Sequence, residues 1–383
     1  MGRREKIAII LFGDYIFDGR VQRCAEALAE RYEVKVFVTT DYSEDYPTIF
    51  RGIDIEFIPL KSKNLPKHPF VQILKFIEYF AITAKHIKKY NPDYIHCNDV
   101  FTILFGLMFY NQKVVVYDSH ELWKDTQHMK AYNKNLFKIM VFIEKIAIKK
   151  VRSVITVNDH IADILRTDHD IELPTVIRNI ADYDEIENSD IVRERCGLSK
   201  NEKIVLYIGG FSSGRGLQNV VKSFQYVDDH IVMVFVGNGY LNEELIILRD
   251  SLQLNNRIFF LDPISQDEVL KYEKSSDLGI ISYENTCLNH YYCLPNKFFQ
   301  FVQMGKPLIV SNFPELKEKV EEYQLGYIFD PDSIEDIAKS INKIFSNDFS
   351  IKEENLYKFL NKYNWENEKK KLLLLYSTIG NNE

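Results

Sequence analysis

The sequence predicts an α/β protein of two doubly wound, Rossmann-like domains, and three observations carry that expectation. First, 383 residues exceed what one ordinary hydrophobic core serves and suit two domains of roughly 150–200 residues each. Second, short runs are apolar almost without interruption, such as Lys6–Phe12, Lys113–Tyr117, Lys203–Ile208 and Ile231–Val236. These read as strands buried on both faces of a parallel sheet. Third, helical patterns stand between the runs, as the crossovers of a parallel sheet require. Abundant Tyr and Phe within a 46% hydrophobic chain allow two large cores and argue against disorder.

In the first half, KIAIILF is followed by the loop GDYIFDGR, the helix VQRCAEALAERY and the strand EVKVFVTT, a βαβ opening. Doubly wound sheets bind ligands at the carboxyl ends of their strands, so that first loop is a candidate. It lacks the full G-x-G-x-x-G fingerprint, which speaks against a nicotinamide cofactor. Next come the strand IDIEFIPL, a long basic helix and the strand Pro92–His96, which runs into Cys97-Asn98-Asp99. A helical run over residues 100–110 and the strand KVVVY follow, and the latter ends in Asp118-Ser119-His120-Glu121. In a parallel sheet His96 and His120 stand at neighbouring strand ends. Glu121 either caps the next helix through Ser119 or orients His120. A second basic helix, the strand Arg152–Val157 and a helix capped at Asn158-Asp159 close this half.

The second half opens at Lys203–Ile208, followed by Gly209-Gly210-Phe211-Ser212-Ser213-Gly214-Arg215-Gly216. Glycines beside a helix start, with an Arg at hand, suit a pyrophosphate, since backbone N–H groups and a guanidinium neutralise it together. Ile231–Val236 ends in Gly237-Asn238-Gly239, and the strand to Leu261 is followed by Asp262-Pro263-Ile264. The loop from Glu284 to Leu294 is polar and aromatic enough to hold a sugar, with His290 read as a surface residue. From Tyr292 to Pro307 the chain combines this loop, a helix start at Pro295, an apolar helix, a left-handed stop at Gly305 and the breaker Pro307. Lys297 adds a positive charge to that helix N-terminus. Asp330-Pro331-Asp332 has the letters of a metal motif but reads as a turn after a strand.

The run from Tyr292 to Pro307 resembles the donor-binding segment of group 4 glycosyltransferases, whose GT-B fold sets two Rossmann-like domains facing across a cleft. Gly305-Lys306-Pro307 matches the family's stop, and Pro295-Asn296-Lys297 matches the motif of one branch. The family's two glutamates, however, fall on Tyr292 and Gln300. Gln300 can still hydrogen-bond a nucleotide ribose, without the charge. Where many members have Gly-Arg and, five residues on, Lys-Gly, this chain has Gly209-Gly210 and Arg215-Gly216, so Arg215 replaces the Lys and one cation is missing. Gly237 also follows the family, and Asp262 and Ile264 stand where members hold the base through backbone groups. Asp18-Gly19-Arg20 and Arg23 resemble the N-terminal loop near the donor phosphates and acceptor.

The resemblance implies an acceptor domain over 1–172, a nucleotide-sugar domain over 173–355 and a terminal helix over 356–383 returning to the first domain. It implies a catalytic set of His120, Arg215 and Lys297, with His120 positioning the acceptor or relaying a proton. The donor would meet Gly209, Gly210, Gly216, Gly237, Asp262, Ile264, Tyr292, Leu294, Pro295, Asn296 and Gln300. The acceptor, a glycan or lipid-linked molecule, would meet Gly19, Arg20, Arg23, His96 and Glu121. Transfer would proceed with retention and interdomain closure, without a cofactor or metal. Because the glutamates are changed, a non-catalytic partner subunit that binds sugar or nucleotide stays open.

Charge and cysteines narrow the setting. Residues 1–170 hold 25 basic against 22 acidic side chains while the whole chain is at −7, so the acidic excess lies in the second half. Nucleic-acid binding is not expected from such a balance. Five scattered cysteines (Cys24, Cys97, Cys196, Cys287, Cys293) without a C-x-x-C pair suit reduced thiols in cytoplasm. The N-terminal apolar run is too short for a signal peptide, and no stretch is long enough to span a bilayer. Lys61–Tyr90 and Lys130–Arg152 each carry seven basic residues and one acid. Such basic amphipathic helices suit either peripheral contact with an anionic membrane's inner face or core helices with wet lysines.

Overall fold

The computed structural model describes residues 3–39, 46–62, 69–126, 134–182 and 186–380. Parts of the two basic stretches (63–68, 127–133) and of the polar linker expected over Asp182–Ser199 (183–185) lie outside the described residues. The chain divides into two compact units, Met1–Asn179 with Glu366–Glu383, and Ile180–Trp365.

The first unit is built on β1 (Lys6–Phe12), β2 (Glu33–Thr39), β3 (Ile49–Phe50), β4 (Ile53–Phe57), β5 (Tyr94–Asn98), β6 (Val114–Ser119), β7 (Ser153–Thr156) and β8 (Thr175–Val176). Their order is β3-β4-β2-β1-β5-β6-β7-β8, parallel throughout except for the β3–β4 hairpin. Helices α1 (Gly19–Ala29), α2 (Pro69–Tyr90), α3 (Ile103–Phe109), α4 (Lys134–Ala147) and α5 (Asp159–His169) make crossovers. Two of them start at side-chain caps. The Asp18 carboxylate accepts from Val21 N and Asn158 Oδ1 from Ile161 N, each satisfying an amide the first helical turn would leave unpaired. Sheet order reverses between β1 and β5, which makes their carboxyl ends the unit's ligand-binding position by topology.

The second unit has β9 (Lys203–Ile208), β10 (Ile231–Val236), β11 (Ile258–Leu261), β12 (Leu278–Ile281), β13 (Leu308–Ser311) and β14 (Gly326–Phe329). All are parallel, in the order β11-β10-β9-β12-β13-β14. Its helices are α6 (Ile191–Cys196), α7 (Leu217–Ser223), α8 (Asn242–Ser251), α9 (Val269–Lys274), α10 (Leu288–Tyr291), α11 (Asn296–Gln303), α12 (Pro314–Tyr323), α13 (Ile334–Ser346) and α14 (Glu353–Lys362). The pleat sends alternate residues to opposite cores. Ile204 and Leu206 join Val232 and Val234 under α11, with Phe298, Phe299 and Val302. Val205 and Tyr207 join Met233 and Phe235 on the other face, with Val220 and Ile341. Here the order reverses between β9 and β12.

The unit boundaries differ from the expected ones at both junctions. The segment from 173 to 179 stays with the first unit, because β8 pairs with β7 through Ile155↔Thr175 and Thr156↔Val176. Residues 356–365 stay with the second, because Phe359 and Tyr363 pack against Phe299. Only from Glu366 does the terminal helix, Trp365–Gly380, belong to the first unit, where Tyr376 is fully buried.

Candidate active-site residues

In the second unit the carboxyl ends of β9, β10, β11 and β12 bring one set of expected residues to one edge of the sheet. Gly209 leaves β9 with φ 147°, and Lys297 Nζ lies 3.1 Å from where a Cβ would stand, so a side chain here would crowd the ammonium. Gly237, beside it at the end of β10, has φ 143°, and a Cβ there would approach the Gly209 carbonyl oxygen to 2.0 Å. Only glycine permits this backbone crossing. Gly216 caps α7 at φ 64°, with Ser282 Oγ 2.5 Å from a notional Cβ. Gly210 is held by its carbonyl, which accepts from the Tyr207 hydroxyl at 3.0 Å.

Both expected cations rest on aromatic faces. Arg215 lies over the Tyr283 ring at 4.6 Å and donates through Nη1 to its hydroxyl. Lys297, on the first turn of α11, lies over the Tyr207 ring at 4.0 Å. Such contacts hold a cation without neutralising it. Among the described residues no carboxylate lies within ion-pairing distance of Lys297. Burial, then the neighbouring Arg215, pushes its ammonium down to about 7. Glu273 of α9 acts on Lys297 but is buried, with neither oxygen hydrogen-bonded, and burial holds its carboxyl well above the ordinary range. Burial thus disfavours the negative charge that Glu273 would bring to Lys297. Arg215 and Lys297 thus stand on neighbouring aromatic faces beside the Gly209 backbone, an arrangement chemically able to receive a compact dianion.

The remaining donor candidates flank this pair. Pro295 precedes α11 in an extended conformation and Asn296 opens the helix, with Leu294 buried under it. Gln300 is half-buried on the same helix, one turn past Asn296, and Tyr292 packs edge-on against Tyr291. Asp262 is exposed and Ile264 half-buried after β11. The loop Asp330-Pro331-Asp332 is a turn, with Asp332 N donating to Asp330 Oδ1 at 3.0 Å.

In the first unit the expected residues fall into a buried ionic network rather than an open row. Arg20 is 4% exposed and grips Asp118 with two bonds, 3.1 Å from Nε and 2.7 Å from Nη2, while Nη1 donates to the Ile177 carbonyl. The expectation that Arg20 meets an acceptor is corrected by this: its donors are committed inside the fold. His96 is likewise interior, fully buried between the Tyr376 hydroxyl (2.7 Å) and Asp118 (3.6 Å), so it supports the network instead of facing a ligand. Arg23 Nη2 donates to Asn179 Oδ1 at 2.5 Å, and Gly19 is the first residue of α1 beside it. Glu121 is half-buried, and its carbonyl, not its carboxylate, accepts from Ser119 Oγ at 2.9 Å.

His120 is 14% exposed at the end of β6 and lies between two acids, Asp99 at 3.3 Å from Nδ1 and Asp118 at 3.5 Å from Nε2. Asp99, held in the left-handed region at φ 62°, also accepts from His120 N and Trp123 Nε1. Burial works against the imidazolium, yet Asp99 and Asp118 outweigh it and push His120 up to about 9. At neutral pH His120 is therefore a cation and a hydrogen-bond donor, unsuited to be a base. Its raised value adds stability that is fully present below about 6.5 and lost as pH rises through about 9. Imidazole resonances followed by NMR should give a midpoint near 9 that falls in Asp99→Asn; a wild-type midpoint near 6.5 would remove the two-acid account.

Two family models then cover nearly all of the chain. The first, Glycosyltransferase Family 4, matches residues 20–185, and the second, Glycosyl transferases group 1, matches residues 188–363. The chain belongs to the GT-B glycosyltransferases. Among relatives it is similar to the alpha-monoglucosyldiacylglycerol synthase of Streptococcus pneumoniae, 24% identical over 78% of this chain and 68% of that one. Among solved structures it is similar to sucrose-phosphate synthase of Thermosynechococcus elongatus, with TM-score 0.82 at 17% identity over 99% and 100% of the two chains. HepE of Anabaena, solved with UDP and glucose, gives 0.75 at 15% identity over 98% and 100%.

As a glycosyltransferase of this fold, the protein holds several groups at its candidate sites that sequence reasoning passed over. Tyr207 and Tyr283 carry the two cations, and Asp99 and Asp118 set the charge of His120. All four lie on strands or at their ends, but nothing in residue spacing says which ring or carboxylate a distant cation will meet.

Proposed function

We propose that this glycosyltransferase moves a sugar from a nucleoside-diphosphate sugar to a glycan or lipid-linked acceptor, with retention and without a metal. The observation that supports this most is the Arg215–Lys297 pair, set on Tyr283 and Tyr207 beside the Gly209 backbone. As the C1–O bond to the diphosphate breaks, its electron pair and negative charge pass to the leaving group. Two preorganised cations then do what a divalent ion does elsewhere, stabilising charge that grows in the transition state. The acceptor hydroxyl forms the new bond to C1, and its proton ends on the diphosphate. Gly209, Gly210, Gly216 and Gly237 leave room for the phosphates, Asp262 and Ile264 flank the base, and Gln300 takes the ribose. In the first unit His120, as an imidazolium between Asp99 and Asp118, would help position the acceptor through its charge, with Gly19, Arg23 and Glu121 as the other acceptor residues.

The UDP and glucose in the HepE structure and the lipid named in the pneumococcal enzyme support the donor and acceptor classes. The reading places the protein in the cytoplasm, at the inner face of a membrane. No helix of the described residues is long and apolar enough to cross one. Tyr292 and Gln300, in place of two glutamates, favour one other reading, a partner subunit that binds nucleotide without turnover. Purified protein offered UDP-, GDP- and ADP-sugars separates the two. Release of one diphosphate at the same rate with EDTA, and about 10²-fold slower in Arg215→Ala, is expected. Binding without release would favour the partner subunit, and loss of activity in EDTA would overturn the metal-free mechanism.

A further inference from the structure

Two helices of the first unit present apolar side chains to solvent in a basic frame. On α4 the outward stripe runs Lys138, Ile139, Phe142, Lys145, Ile146 and continues to Lys149. Phe142 is 63%, Ile139 53% and Ile146 42% exposed. On α2, Leu74 and Ile77 are 58% and 57% exposed, with Lys85 and Lys88 further along the same helix. The helices are neighbours, since Phe76 of α2 and Met140 and Ile143 of α4 pack into one cluster with Val100 and Trp123. Core packing does not explain these residues, because the inner faces are already filled. The acids are also accounted for. Glu78 turns back to accept from Lys61 N and Ser62 N, and Glu144 is buried against the Tyr117 hydroxyl.

We propose that the outward faces of α2 and α4 form a docking surface for an anionic lipid bilayer, into which Phe142, Ile139, Leu74 and Ile77 insert while the lysines meet the headgroups. Alternating Lys and apolar side chains on one stripe, with Glu144 buried and Glu78 held by the Lys61 and Ser62 amides, match an interface that is negative outside and apolar just below. Trp123 ties the surface to the candidate acceptor residues. It packs in the shared cluster and donates to Asp99, which holds His120. A membrane seated on these helices lies beside the place where a lipid-linked acceptor would be received. Only this last point rests on the transfer reading; the docking does not.

Co-sedimentation with phosphatidylcholine vesicles, with and without about one third phosphatidylglycerol, tests the proposal in the absence of any nucleotide sugar. The protein should bind the anionic vesicles at low salt, release at high salt, and ignore the neutral ones. Lys145→Gln and Lys149→Gln should each weaken binding about fivefold. Ile139→Ser combined with Phe142→Ser should weaken it about tenfold or more. All variants should keep the wild-type melting temperature and rate of donor hydrolysis. Absent binding, equal binding to neutral vesicles, or wild-type binding by the Ile139/Phe142 variant would overturn the proposal. So would a concentration-dependent dimer abolished by Phe142→Ser, which would assign the face to a second copy of the chain. Donor hydrolysis is read without vesicles, so failure of docking and failure of the transfer reading are separable.

Discussion

Replacing Arg20 with methionine is expected to destabilise the first unit by about 3 kcal/mol, the lower end of what stranding a buried charge costs. Asp118 is fully buried, and Arg20 supplies two of its hydrogen bonds in a fork that only a guanidinium makes. Burial alone would raise the Asp118 carboxyl, but Arg20 first and His120 second hold it well below its ordinary value. That contribution to stability is present above the usual carboxylate range and is lost as pH falls below it. His120 and His96 remain beside Asp118 in the variant and limit the damage, which is why the lower figure is expected. For a unit of this size the loss corresponds to a melting temperature lower by about 6–12 °C. Asp118→Asn added to Arg20→Met should recover part of it, since no charge is then stranded. Additive losses in the double variant, followed by circular dichroism, would show that the pair is not coupled.

Lys297→Met is expected to lower turnover about 10²- to 10³-fold and to weaken nucleoside-diphosphate binding by about tenfold or more. Tyr207 supports the Lys297 ammonium from one side and Gly209 leaves room for it on another, while burial and Arg215 depress it to about 7. The unfolded chain keeps an ordinary lysine value near 10.4. Burying this charge therefore costs most below about pH 7, and folding stability gains as pH rises from there towards 10.4. Binding runs the other way. A diphosphate favours the charged amine, so affinity should fall as pH rises above about 7, with a proton taken up on binding. Methionine fills a similar volume over Tyr207 but cannot titrate, so the variant should lose both the pH slope and the proton uptake. A variant with wild-type affinity and slope would remove Lys297 from the site.

Much of the architecture was legible because parallel strands buried on both faces leave uninterrupted apolar runs, and Lys6–Phe12, Lys203–Ile208 and Ile231–Val236 appear as read. Gly305 takes the left-handed stop at φ 70° expected from its place before Pro307. The junctions were less legible. Thr175-Val176 looks like the start of a new domain until β7 is available as its partner, and the allegiance of Phe359 and Tyr363 depends on rings elsewhere in the chain. At the site, Gly209, Arg215 and Lys297 could be named from glycine and charge pattern together with the family resemblance. The rings beneath the cations could not, since nothing in the spacing of Tyr207 or Tyr283 points to Lys297 or Arg215. Arg20 shows the opposite error. An Arg at a ligand-binding loop suggests a ligand, whereas its partner proves to be Asp118, a residue 98 positions away.

The central claim is that Arg215 and Lys297 receive the diphosphate of a nucleotide sugar, and calorimetry of nucleoside diphosphates near pH 8 tests it most directly. Titrations of UDP, GDP and ADP in two buffers of different ionisation enthalpy count the protons taken up. The account predicts that one of the three binds with uptake approaching one proton, and that the uptake disappears in Lys297→Met. Binding whose enthalpy is the same in both buffers, or no binding by any of the three, would contradict it.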